Sequence, residues 1–90
     1  MRFEWDPKKA AANVRKHGVS FHEAATLFGD PLAITFDDPD HSESEQRHLT
    51  FGLSLNGRLI VLSHTQRADR TRIISAPLMS HEERVIYEEG

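Results

Sequence analysis

An Asn-Gly pair between two strand-like segments is the feature that most restricts how this chain can fold. Residues 48–55 alternate between polar and apolar side chains, and Asn56-Gly57 follows at once. Asn-Gly is typical of a two-residue hairpin turn, in which both central residues adopt positive φ. The segment from Arg58 to Thr65 then returns with apolar side chains on both faces, as expected of a central strand. The sequence therefore predicts an antiparallel hairpin inside a sheet.

A two-residue turn also fixes which residues of the hairpin lie opposite each other, because Leu55 would then pair with Arg58. The apolar pairs of this register are Leu53 with Ile60, Phe51 with Leu62 and Leu49 with His64. The small and polar pairs are Gly52 with Val61, Thr50 with Ser63 and His48 with Thr65. We expect the first set to lie under helices and the second set to face a ligand. Arg47, opposite Gln66, would lie at the end of the sheet.

Local start and stop signals account for the rest of the chain. Asp6-Pro7 and the capping boxes at Ser20/Glu23 and Ser80/Glu83 mark three helix starts. The predicted elements are a strand at 2–5, helices at 7–17 and 21–28, strands at 32–36, 48–55, 58–65 and 71–76, and a helix from Ser80 to Glu89. The order β-α-α-β-β-β-β-α predicts an α+β fold with a small, mostly antiparallel sheet and one domain over residues 1–90.

Composition excludes several classes of protein. The chain has 90 residues, no cysteine and a formal net charge of −3, so a disulfide scaffold and a cysteine nucleophile are excluded. The net charge also argues against coating nucleic acid by bulk charge. The first residues are charged and no apolar run is long enough for a membrane span. We therefore expect a cytoplasmic domain without a membrane partner.

The basic residues of the sheet region are all arginines. Residues 46–81 contain five arginines and a single carboxylate, Asp69. These arginines are Arg47, Arg58, Arg67, Arg70 and Arg72. The planar guanidinium group matches the oxygens of a phosphate. The alternative is that these side chains lie in solvent at turns and balance the acidic segment before them.

Six histidines invite a metal hypothesis, but no metal-binding spacing such as HExxH is present. We therefore expect no metal and no cofactor. The predicted register turns His64 to the core, where a hydrogen-bonded structural role is expected. His41, in the acidic segment, and His48, on the open face, are the better functional candidates. His17, next to Gly18, suits the C-terminus of a helix.

Several segments together resemble the BrnT family of toxins from type II toxin–antitoxin modules. The segments that carry the resemblance are Phe3-Glu4-Trp5-Asp6, 13–21, 23–25, Phe28-Gly29-Asp30-Pro31, Asp40-His41-Ser42 with Glu45 and Arg47, Gly57-Arg58-Leu59, His64-Thr65 with Arg67, 72–76, and Glu83-Arg84 with Tyr87-Glu88. They cover nearly the whole chain, in the order of the family.

The resemblance implies a RelE-like ribonuclease fold, with helices on one face of an antiparallel sheet and the other face offered to RNA. The implied activity is a metal-independent cleavage of RNA that blocks translation. The implied partner is a BrnA-like antitoxin with a ribbon-helix-helix domain, in a heterotetramer that contacts operator DNA only through the antitoxin.

Cleavage of RNA by its own 2′-OH needs a base, cations for the phosphate charge and an acid for the leaving oxygen. By resemblance, the candidate cations are Arg47, Arg67 and Arg72. Glu45 is a candidate base or acid. The histidines His41, His48 and His64 are also candidates for either role, and the sequence does not choose among them. Additional RNA contacts are expected from Lys16, His48 and Arg70.

The chain departs from the family pattern after Ala76. The family continues with an arginine, whereas here Pro77 follows, which has neither a charge nor a backbone N–H for a phosphate. The alternative hypothesis is therefore a weakened or inactive toxin that acts as an antitoxin-binding and co-repressor module.

Overall fold

The structure of the protein is a computed structural model, which describes residues 1–38, 40 and 45–90. The strands are β1 (Arg2–Glu4), β2 (Ile34–Asp37), β3 (Arg47–Leu53), β4 (Leu59–Arg67) and β5 (Arg70–Ser75). The helices are α1 (Pro7–His17), α2 (Phe21–Ala25) and α3 (His81–Glu89), and a 3-10 helix at Thr26–Gly29 continues α2. The predicted order β-α-α-β-β-β-β-α is confirmed.

The five strands form one sheet in the order β1-β5-β4-β3-β2. Strands β2 to β5 are antiparallel neighbours, as the hairpin signals predict. β1 is parallel to β5, with Glu4 opposite Arg72. The predicted, mostly antiparallel sheet is therefore confirmed as a mixed sheet with one parallel pair at its edge, and it is not the fully antiparallel sheet that the resemblance implied. A parallel pair needs a long crossover connection, which α1, α2 and the three middle strands provide between β1 and β5.

The central hairpin has a three-residue loop, and the predicted register is wrong by one residue. Ser54 pairs with Arg58, since the Ser54 amide donates to the Arg58 carbonyl at 2.9 Å, and the Gly57 amide donates to the Ser54 carbonyl at 2.9 Å. Gly57 has a φ of 78°, whereas Asn56 is not in the left-handed region. This is a type I turn followed by a left-handed glycine, a common three-residue hairpin loop.

Ser54 and Glu23 select this loop. The Ser54 hydroxyl accepts from the amides of Asn56 and Arg58, both at 3.2 Å, and donates to the buried Glu23 carboxylate at 2.7 Å. The Arg58 Nε donates to the same carboxylate at 2.9 Å. A two-residue turn at Asn56-Gly57 would lose this arrangement, so a contact distant in the sequence outweighs the local Asn-Gly preference.

The corrected register turns all side chains of β3 over, because successive side chains of a strand point to opposite faces. The pairs on the α1 and α2 side are His48 with His64, Thr50 with Leu62 and Gly52 with Ile60. The pairs on the other side are Leu49 with Ser63 and Phe51 with Val61. The prediction for β4 was therefore right, and the prediction for β3, including His48 on the open face, was wrong.

The main core lies between the sheet and the first two helices. It contains Val19, Phe21, Ala24, Leu27, Ile60, Leu62, Ile73 and Ala76. Gly52 allows the close approach of the 3-10 helix, because a Cβ at this position would lie 3.0 Å from Leu27 Cγ. The second predicted helix, 21–28, changes to 3-10 geometry at Thr26, whose hydroxyl donates to the Glu23 carbonyl at 2.6 Å and competes with regular helix bonding.

A smaller core lies on the opposite face of the sheet, near the hairpin. Phe51 and Val61 pack there against Met79, with Tyr87 of α3 beside them. The Tyr87 hydroxyl donates to Asp30 Oδ2 at 2.7 Å, which raises the pKa of Tyr87 to about 12. α3 thus covers one end of the second face, and the expectation that all helices share one face is wrong. No helix within residues 1–38, 40 and 45–90 is long and apolar enough to cross a membrane.

Asn13 joins three segments, and its replacement is expected to destabilise the protein. Its side-chain nitrogen donates to the carbonyls of Val19 and Ala76 at 2.9 and 3.0 Å, and its oxygen accepts from the Ala76 amide at 2.9 Å. Asn13→Ala leaves these buried groups without partners, so we expect a loss of about 2–4 kcal/mol in the free energy of unfolding. Urea denaturation measures this loss. Val14→Ala, at a half-exposed position of the same helix, is the control, and equal effects of both variants would contradict the prediction.

The Glu23–Arg58 pair predicts acid sensitivity. Hydrogen bonds from Arg58, then from Ser54, lower the pKa of Glu23 from 4.5 to about 2. A carboxyl with a lowered pKa in the folded state stabilises the protein above its unfolded pKa, and this contribution disappears as the pH falls from 4.5 towards 2. We expect the free energy of unfolding, measured by urea at each pH, to fall through this window. Glu23→Gln should flatten the slope, whereas Glu88→Gln, at an exposed position, should leave it unchanged.

Candidate functional site

The face of the sheet opposite α1 and α2 carries two transverse rows of charged residues. In the first row, Arg47 of β3 lies opposite Thr65 of β4, which lies opposite Arg72 of β5, which lies opposite Glu4 of β1. The second row contains Arg67, Arg70 and Arg2 on β4, β5 and β1. We call the surface formed by Arg47, Arg67, Arg70 and Arg72 the arginine face. It lies at the end of the sheet away from the central hairpin and α3.

Glu45 joins two of these arginines. Its Oε1 accepts from Arg47 Nε at 3.3 Å, and its Oε2 accepts from Arg67 Nη2 at 3.3 Å. The hydrogen bond from Arg67, followed by that from Arg47, lowers the pKa of Glu45, so the carboxylate is ionised at neutral pH. The Glu45 side chain is 28% exposed. The site therefore presents an accessible carboxylate between two cations.

Arg72 is held by a residue that the sequence did not single out. Its Nη1 donates to Glu4 Oε2 at 2.8 Å, and both side chains are about one quarter exposed. The alternation of residues 2–5 puts Arg2 and Glu4 on one face, but their position beside β5 depends on the long-range parallel pairing. Thr65 is buried in the middle of the first row, where its hydroxyl donates to the Gln46 carbonyl at 2.7 Å and fixes the entry into β3.

His64 and His48 lie on the other side of the sheet. His64 is buried beneath the 3-10 helix, with its Nε2 2.7 Å from Thr50 Oγ1 and its ring against Phe28. Burial, with a smaller contribution from His48, lowers the pKa of His64 to about 4. His48 Nδ1 lies 3.1 Å from Asp37 Oδ1. Neither ring reaches the arginine face, because the sheet lies between them.

The predicted site residues thus separate into groups. The structure brings Glu45, Arg47, Arg67, Arg70 and Arg72 together on one face. Lys16 lies apart on α1, in a cleft beside the end of β5.

His41 lies outside the described residues. Within residues 1–38, 40 and 45–90, no group of three or more His, Cys, Asp or Glu side chains is arranged to hold a metal ion.

Comparisons with known proteins identify the family. The family model described as the ribonuclease toxin BrnT of type II toxin–antitoxin systems matches residues 5–83. The fold is similar to the 1.1 Å crystal structure of the Brucella abortus ribonuclease toxin BrnT, with a TM-score of 0.68 and 20% sequence identity over 90% of this chain and 99% of that chain. A comparison with curated protein sequences gives no match. Since the family model spans most of the sequence, this chain belongs to the BrnT family of ribonuclease toxins of type II toxin–antitoxin systems.

Proposed function

We propose that this chain is a metal-independent endoribonuclease toxin and that the arginine face is its active site. The observation that carries the proposal is the position of Glu45 between Arg47 and Arg67, with Arg72 two strands away on the same accessible face. Neighbouring strands are about 4.8 Å apart, so Arg47 and Arg72 are about 10 Å apart at the backbone. Long arginine side chains span such a gap and can hold one phosphate between them.

The proposed reaction uses the 2′-OH of the substrate as the nucleophile. Glu45 takes the proton of this hydroxyl, the 2′ oxygen bonds to phosphorus, and the bond from phosphorus to the 5′ oxygen breaks. Arg47, Arg67 and Arg72 stabilise the extra negative charge on the phosphoryl oxygens. The leaving 5′ oxygen takes a proton from solvent water, and Glu45 returns its proton to solvent. The products are a 2′,3′-cyclic phosphate and a 5′ hydroxyl.

Substrate binding itself strengthens Glu45 as a base. A carboxylate with a lowered pKa is a weak proton acceptor, and a general base is most effective when its pKa is near the operating pH. When a phosphate binds, Arg47 and Arg67 turn from Glu45 to the phosphate oxygens, since an arginine fork binds phosphate well. The pKa of Glu45 then rises towards its ordinary value. The site is therefore activated by the group that it cleaves.

Membership of the family implies a cognate antitoxin, and we propose a BrnA-like ribbon-helix-helix protein in this role. The proposed assembly is a heterotetramer of two toxins and two antitoxins in the cytoplasm. We propose that operator DNA is contacted through the antitoxin, because a net charge of −3 argues against a toxin that holds DNA by bulk charge.

Glu45→Gln tests the proposed base. General-base catalysis contributes about 10²–10⁴ in rate, so we expect kcat for cleavage of single-stranded RNA to fall by this factor. The Kd for a 2′-O-methyl RNA, which cannot be cleaved, should stay equal or decrease, because the variant loses a negative charge beside the phosphate. Cleavage is measured with EDTA present. As the pH is lowered, kcat/KM of the wild type should decrease because the base becomes protonated, and the variant should lack this decrease.

The control for this experiment is Glu88→Gln, which removes an exposed carboxylate on α3 and should cleave like the wild type. In cells, induced wild-type protein should arrest growth and the Glu45→Gln variant should not. Wild-type cleavage that depends on an added metal, or full activity of Glu45→Gln, would contradict the proposal.

Pro77 motivates the alternative of a non-catalytic antitoxin-binding module. Its carbonyl accepts from the Val61 amide at 2.9 Å, and Val61 lies four residues before Thr65 on β4. At about 3.3 Å per residue, position 77 is about 13 Å from the row that contains Arg47 and Arg72. The arginine face is therefore formed without a side chain from position 77.

Pro77→Arg separates the two functions. If the proposed function is correct, the wild type already cleaves RNA, and the added arginine changes kcat/KM by less than about tenfold. The reason is that an arginine at position 77 lies beyond the first contacts of the scissile phosphate. On the alternative, the wild type binds antitoxin without cleaving RNA, and Pro77→Arg restores cleavage. Initial rates with the same RNA decide between these outcomes.

A further inference from the structure

A basic groove lies between α1 and the end of β5. β1 pairs only with residues 70–72 of β5, and beyond it the chain turns into α1. The groove has a volume of about 300 Å³. We call it the α1 groove, and the lining residues that matter here are Lys9, Asn13, Lys16, His17, Ile74 and Ser75.

The cations of the α1 groove differ from those of the arginine face. Arg47, Arg67 and Arg72 each have a carboxylate partner. By contrast, Lys9 and Lys16 have no carboxylate partner among the residues that the structure describes. They are seven positions apart on α1, so two helical turns separate them and both ammonium groups lie along one side of the helix. Two unpaired positive charges along a groove favour an anionic ligand.

The neutral groups of the α1 groove favour binding of a sugar–phosphate backbone over recognition of specific bases. The Asn13 amide is fully used by Val19 and Ala76, so it cannot read a base edge. The two strand residues of the lining are Ser75, which has a hydroxyl, and Ile74, which is apolar. Charged side chains with few free hydrogen-bonding groups bind phosphates without reading sequence.

The groove continues the arginine face along one strand. A β-bulge leaves Ile74 as an extra residue on β5, so Ser75 lies opposite Ser63 and on the side of the sheet that carries Arg72. It is three residues from Arg72 on β5, a distance of about 10 Å along the strand. A single-stranded nucleic acid whose scissile phosphate lies between Arg47 and Arg72 can therefore leave the sheet over Ser75 and enter the groove.

We propose that the α1 groove binds the sugar–phosphate backbone of single-stranded RNA next to the cleaved nucleotides, with Lys9 and Lys16 each contacting one phosphate. This inference rests on the proposed ribonuclease function and adds a second subsite to it. In this proposal the two lysines increase the affinity for longer RNA, whereas cleavage takes place at the arginine face.

The double variant Lys9→Gln/Lys16→Gln tests this subsite. Each phosphate contact on a single strand contributes about 0.7 to the slope of log affinity against log salt. We expect the slope for a 2′-O-methyl RNA of twelve nucleotides to decrease by about 1.4, with roughly tenfold weaker binding near 0.1 M salt. Cleavage of a dinucleotide, which is too short to reach the groove, should be unchanged. Fluorescence anisotropy measures the affinity.

Lys8→Gln/Arg15→Gln is the matched control. It removes the same charge from α1 at the same seven-residue spacing, from positions outside the groove lining. Its salt slope should equal that of the wild type. Equal slopes for all three proteins would overturn the inference while leaving dinucleotide cleavage, and thus the proposed function, intact.

Two further outcomes would also overturn the subsite. If Lys9→Gln/Lys16→Gln weakens only the binding of the cognate antitoxin, the groove is a protein contact and not an RNA subsite. If the wild type neither cleaves the dinucleotide nor binds the longer RNA, both the proposed function and the further inference are wrong.

Discussion

The buried carboxylate of Glu23 is the interaction on which the arrangement of the sheet depends. It holds Ser54 and Arg58 together, and the Arg58 Nη2 also donates to the Gly18 carbonyl at 2.7 Å. One ion pair therefore connects the end of α1, the start of α2 and both sides of the central hairpin. The three-residue loop that results sets the register of β3 against β4. A slip of one residue would turn Arg47 towards the helices and dismantle the arginine face.

Local signals predict the elements of this fold but not the contacts between them. Asp6, Ser20 and Ser80 cap the three helices as expected. At Ser80 the complete capping box forms, because Glu83 has no competing partner among residues 1–38, 40 and 45–90. At Ser20 only half of it forms, since the Glu23 side chain leaves the helix end for Arg58. The parallel pairing of β1 with β5 could not be predicted from local signals either, because strand propensity does not identify a partner 68 residues away.

The candidate site was predictable to the extent that residue chemistry alone selects it. Arginines in a segment almost free of acids indicated the cationic surface, and the resemblance added Glu45. Tertiary structure decided the rest. His48 lies on the helical side because the register differs from the expected one, and the contribution of Glu4 depends on the long-range strand pair. From the sequence alone, a cluster of histidines and a cluster of arginines are equally plausible on the ligand-binding face. Which face a side chain occupies depends on the register of β3 against β4, and a single turn sets that register.

The net charge of −3 is consistent with the proposed ribonuclease when the cations that pair with a carboxylate are considered separately from those that do not. A phosphate that reaches Arg47 and Arg67 replaces the contacts of Glu45, so binding there exchanges one set of charge-assisted hydrogen bonds for another and adds little affinity. What the exchange does provide is a set of arginines already held in place when negative charge develops on the phosphate. Within the part of the chain that the structure describes, Lys9 and Lys16 have no such partners, and a phosphate beside them would add contacts without breaking any. In the proposed mechanism, catalysis and retention of RNA therefore use different cations, and a net excess of acidic residues is compatible with both.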